Sequence, residues 1–65
     1  MNIEELISKN EDRLSEVNMY IIAVLTVKKK TKNQIDLSVI EQKINELEIE
    51  KNLITSFIKD LKKCS

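Results

Sequence analysis

Apolar residues recur at Ile3, Ile7, Leu14, Val17, Ile21 and Val24, and Asn10 takes the one polar position in the series. Steps of three and four put these residues in one stripe along a helix face. Asn2 is placed to cap that helix, with Glu5 three residues on as its capping-box partner. Met1 and Leu6 stand where a hydrophobic staple would close. Glu4 and Glu5 fall in the first turn and Lys28, Lys29 and Lys30 in the last, both the right sign for the helix dipole.

The stripe breaks at Thr31-Lys32-Asn33-Gln34, which holds no apolar residue. Asn33 tolerates a left-handed backbone and so is expected to end the first helix. Ser38-Val39-Ile40-Glu41 reads as a second capping box. A second stripe then runs through Ile40, Ile44, Leu47, Ile54, Ile58 and Leu61, with Lys51 at its one polar position and Lys62-Lys63 at its end. The pattern predicts a single all-α domain over 1–65: helix 3–30, loop 31–37, helix 38–63.

Folding the second stripe onto the first sets Val24 against Ile40, Ile21 against Ile44 and Val17 against Leu47. It also sets Leu14 against Lys51, Asn10 against Ile54, Ile7 against Ile58 and Ile3 against Leu61. Agreement from the loop to the far ends predicts an antiparallel, coiled-coil-like two-helix hairpin. Tyr20 to Val27 also has high strand propensity, but the periodic flanks decide for helix. That segment is an aggregation hazard when uncovered. Lys51 is expected to snorkel out along the seam edge, whereas the role of Asn10 is left open.

More residues are apolar than one seam requires. Met19, Tyr20, Ala23 and Val27 fall beside or behind the first stripe, and Ile49, Leu53 and Phe57 form a separate row on the second helix. At about 100° per residue both groups turn to the same side of their own stripes. They are expected to form one diagonal band, and a two-helix hairpin has no third element to cover it. An uncovered apolar band of this kind marks an interaction surface. These seven residues are the candidate partner-binding set.

Composition narrows the chemistry. A chain of 65 residues has a marginal core of its own and is usually helped by disulfides, a metal or a partner. One cysteine, Cys64, excludes a disulfide within the monomer, and the absence of His leaves no structural zinc set. A partner chain is therefore the expected source of further stability. With neither Gly nor Pro, tight hairpin turns between strands are hard to build. No catalytic constellation, metal site or cofactor motif is expected: there is no Gly-rich phosphate loop, and Cys64 has no His to activate it.

The 11 basic and 11 acidic residues cancel, which gives no general argument for nucleic acid or a membrane surface. Lys28, Lys29, Lys30 and Lys32 cluster, but no aromatic residue lies among them to stack on bases. Met19 to Val27 spans only about 14 Å as helix, against a bilayer core of roughly 30 Å. The acidic start carries no signal-peptide pattern, and the lone thiol suits a reducing compartment. A cytoplasmic location is expected.

The stretch Ile44 to Leu61 resembles the C-terminal helix of a known family. Its Leu47-Glu48 pair, Leu53-Ile54, Phe57-Ile58 and closing Asp60-Leu61 are similar to the small YscE/PscE-like co-chaperones of type III secretion needle subunits, which are helical hairpins of about this length. The resemblance implies a non-enzymatic virulence-system protein of the bacterial cytoplasm. It also implies binding to a tetratricopeptide-like chaperone that cradles the needle subunit and prevents its early polymerisation. It assigns no individual binding residue. A competing reading is a homodimeric four-helix bundle similar to the RNA-binding plasmid protein Rop. A regulator that inserts a helix into a kinase or transcription factor is a third, although the Ser-Gln-Glu-Leu-Asp motif of small sporulation phosphatases is absent.

Overall fold

The computed structural model describes residues 2–64. Met1, and with it the expected staple to Leu6, lies outside them. The fold is two antiparallel helices, α1 (Ile3–Lys30) and α2 (Gln34–Cys64), as the stripes require. The pair forms a rod with principal extents of 48 × 14 × 14 Å. Tyr20 to Val27 is helical throughout, so the periodic flanks outweigh its strand propensity.

Asn2 caps α1, its side-chain oxygen accepting from the Glu5 amide at 2.8 Å. The other end differs from expectation. Thr31, in extended conformation, terminates α1; its amide donates to the Lys28 carbonyl at 3.1 Å and its hydroxyl to the Val27 carbonyl at 2.8 Å. No described residue has a positive φ, so Asn33 does not supply a left-handed stop. Instead Asn33 opens the second helix. Its side-chain oxygen accepts from Ile35 N at 2.8 Å and Asp36 N at 3.3 Å, and its carbonyl accepts from Leu37 N at 2.9 Å.

The expected loop 31–37 is therefore only 31–33, and Ser38 lies inside α2 rather than at its cap. The physical reason is plain. Asn33 is as good a cap as Ser38 and comes first. Leu37, three residues before Ile40, is half-buried and extends the apolar stripe by another turn.

The core is the seam between the helices. Val17, Ile21, Leu47, Ile54 and Ile58 are buried, and Ile7, Leu14 and Val24 pack against them. All eight belong to the two stripes. The seam loosens at the open end, where Ile3, expected to be closed by Leu61, is 38% exposed. Asn10 is half-buried and donates to the Leu6 carbonyl of its own helix at 2.8 Å, which satisfies it without a cross-helix bond. Lys51 is also half-buried, as a stem laid along the seam would be.

Among the described residues, ion pairs cross between the helices at the rims at Arg13–Glu50 (2.7 Å), Lys28–Glu41 (3.7 Å) and Lys62–Glu11 (3.7 Å). Their side chains are largely exposed, so each contributes at most about 1 kcal/mol. Their placement helps to fix which edges of the helices meet.

A candidate protein-docking face

One edge of the seam is pinned by two contacts. Arg13 pairs with Glu50, and seven residues along each helix Lys43 Nζ lies 5.7 Å from the centre of the Tyr20 ring, within cation–π range. Residues at this heptad position of α1 therefore face those at the same position of α2. Val27 continues the edge toward the loop, seven residues beyond Tyr20. Phe57 continues it toward the open end, seven residues beyond Glu50.

At the loop end the edge widens into a shallow apolar trough of about 390 Å³, lined by Tyr20, Ala23, Val24, Val27, Val39, Ile40 and Lys43. Val24 and Ile40 form its floor as seam residues. Tyr20, Ala23 and Val27 supply one wall, and Val39 and Lys43 the other. This much of the expected band is assembled as three of its seven residues required. Val39, which is 62% exposed, was not among them. Its signal was present in the sequence: it lies one turn before Lys43 and two heptads before Leu53, but its place inside an expected capping box hid it.

The rest of the band divides. Phe57 (46% exposed) and Leu53 (67% exposed) are one turn apart, with Leu53 three residues after Glu50, so both lie on the same side as the trough. They form a second apolar patch at the open end, roughly 20 Å from the first at 1.5 Å per residue. Met19 and Ile49 do not join either patch. Met19 is two residues from both Val17 and Ile21, and Ile49 two from both Leu47 and Lys51. At about 100° per residue each points to the outer back of its helix. Both are exposed.

Between the patches lies a charged belt. Arg13, Glu16, Lys43 and Glu50 surround a shallow depression over Val17 and Leu47. The expected continuous diagonal band is thus two apolar patches separated by ionic groups.

No protein-family model, curated protein or solved structure matches the chain. What the face can do is therefore read from its own chemistry.

It offers apolar surface with one aromatic ring at each end, residue types enriched in protein interfaces, and charges in the middle, where such interfaces are depleted of them. The opposite edge carries exposed Ile22 and Leu25 on the α1 side only; the α2 positions corresponding to Ile22 are Ser38, Asn45, Asn52 and Lys59, and those corresponding to Leu25 are Glu41, Glu48, Thr55 and Lys62. That makes it the more polar side. Among the described residues, no group of three or more His, Cys, Asp or Glu is placed to hold a metal. None of the described helices is long and apolar enough to cross a membrane. Cys64 is a free, exposed thiol.

Proposed function

We propose that this chain is a non-enzymatic protein-binding hairpin: a cytoplasmic co-chaperone that binds and stabilises a tetratricopeptide-like chaperone of the type III secretion needle subunit. The observation that carries the binding role is the trough between Tyr20, Ala23, Val27 and Val39, with Leu53 and Phe57 exposed on the same side. Neither α1 nor α2 covers these groups, and contiguous apolar surface of this kind is characteristic of interaction sites. The choice of partner is supported by the resemblance of Ile44 to Leu61 to the co-chaperone C-terminal helix. In this role the seam keeps the two helices in register, and the flanking edge engages the partner. Tetratricopeptide-like proteins are helical arrays with concave surfaces, a shape into which a rod of this length can lie.

Co-expression with a tetratricopeptide-type needle chaperone tests the proposal. Wild-type chain should co-purify with it and raise its soluble yield. Tyr20→Ser and Phe57→Asp should each abolish co-purification, because each alters a central aromatic contact of a patch. Met19→Asp and Ile49→Asp, on the outer backs, should leave it intact. Co-purification retained by both Tyr20→Ser and Phe57→Asp would overturn the docking face. A wild-type chain that never co-purifies would overturn the choice of partner.

A further inference from the structure

We infer that in the absence of another partner the same face is covered by a second copy of this chain, stacked antiparallel so that the two loops lie at opposite ends. The inference concerns the free chain and does not depend on the heterologous partner being a needle chaperone.

Area is the first argument. A rod 48 Å long and two helices wide, each about 10 Å across, presents on the order of 900 Å² on one face. A standard-size interface buries roughly 800 Å² per partner. One face of this hairpin is therefore large enough for a stable dimer.

Register is the second. A twofold axis through the hairpin's midpoint, lying in the plane of the face, stacks α1 on α1 and α2 on α2 in opposite directions. At that register Val39 comes over Phe57 of the second copy, Ala23 comes close to its Leu6 and Val27 close to its Ile3. Each loop-end patch thus meets an open-end patch, twice. In the belt, Arg13 falls near Glu16 of the second copy, an opposite-charge contact, whereas Lys43 comes over its Leu53 and Glu50 over its Glu46, a like-charge contact that weakens the pairing.

Charge also decides the orientation. Lys28, Lys29, Lys30 and Lys32 crowd the loop end. Parallel stacking would bring both clusters together, with eight lysines at one end. Antiparallel stacking separates them by the length of the rod, beyond a Debye length of about 8 Å at physiological ionic strength.

The test uses the full chain alone. Light scattering after size exclusion should give twice the chain mass of 7.6 kDa over a hundredfold concentration range. Ala23→Glu and Val39→Glu, both at exposed positions where a helix tolerates Glu, should each raise the dimer dissociation constant by about thirtyfold or more, as loss of a central contact does. Cys64 reports orientation. Under a mild thiol oxidant, wild type at low micromolar concentration should form no covalent dimer, because the two thiols sit at opposite ends of the stack. Lys32→Cys should form one readily, through Cys64 of the second copy. A monomer at every concentration, a polydisperse mass, or dimers unaffected by both Glu variants would overturn the inference. Rapid Cys64–Cys64 cross-linking of the wild-type dimer would overturn its antiparallel orientation. None of these results bears on co-purification with a needle chaperone, which fails or succeeds separately.

Discussion

Replacing Asn33 with alanine tests where the second helix begins and what sets the hairpin's turn. Asn33 accepts two backbone bonds, from Ile35 N at 2.8 Å and Asp36 N at 3.3 Å. Alanine leaves both donors to water. Loss of a cap of this type costs about 1 kcal/mol, within a range of roughly 0.5–2. A single core of this size rarely supplies more than about 3–5 kcal/mol, so the loss is a sizeable fraction of the total. For a domain of this length it corresponds to a fall in Tm of about 4–8 °C per kcal/mol. Ser38→Ala is the control. Ser38 is exposed in the interior of α2, where alanine is the better helix former by a few tenths of a kcal/mol, so this variant should hold or slightly raise Tm. Thermal melts followed by far-UV circular dichroism, at one fixed protein concentration because association shifts apparent stability, give both values. A larger loss for Ser38→Ala than for Asn33→Ala would refute the reasoning and move the helix start to 38.

Two further substitutions probe the seam. Ile54→Ala removes a buried aliphatic at the centre of the open-end half and should cost about 2–5 kcal/mol, enough to leave the chain largely unfolded by circular dichroism at 37 °C; a fully helical variant would mean that the seam is not the core. Lys51→Leu replaces the one polar residue in the second stripe, a half-buried position, and should raise the urea midpoint, through an unfolding free energy larger by up to about 1 kcal/mol of added apolar burial. A lower midpoint would show that the ammonium group contributes more than its stem.

The seam was legible in the sequence because a hairpin repeats one simple requirement along its whole length. Every buried residue and every half-buried one packed against it, from Ile7 to Ile58, falls on a stripe visible as steps of three and four. The turn was less legible because two good caps, Asn33 and Ser38, stood five residues apart, and sequence alone does not rank them. Leu37 was the discriminating residue: it continues the stripe only if the helix has already started. The face was half legible. Helical spacing identified Tyr20, Ala23, Val27, Leu53 and Phe57 as lying off the seam on one side. It did not separate residues beside the seam, which two helices can share, from Met19 and Ile49 behind it. That distinction depends on which edges meet, and the Arg13–Glu50 pair and the Lys43–Tyr20 contact fix it.

The division of the face into two patches around a charged belt has a consequence for the two proposals taken together. A continuous apolar band would bind either a second copy or another protein tightly and with little discrimination. Placing Arg13, Glu16, Lys43 and Glu50 between the patches makes affinity depend on whether the occupant presents matching charges, since a mismatched charge held in an interface is costly. A second copy meets that requirement poorly, because Glu16 approaches its own twofold mate near the axis and Glu46 approaches Glu50 of the copy. A heterologous partner with a basic group at the same point would satisfy the belt better and displace the copy. The apolar patches then supply affinity for any helical occupant, and the belt sets the order of preference among them. On this argument self-association would cover the face while it is empty, and a partner that matches the belt better would displace the copy.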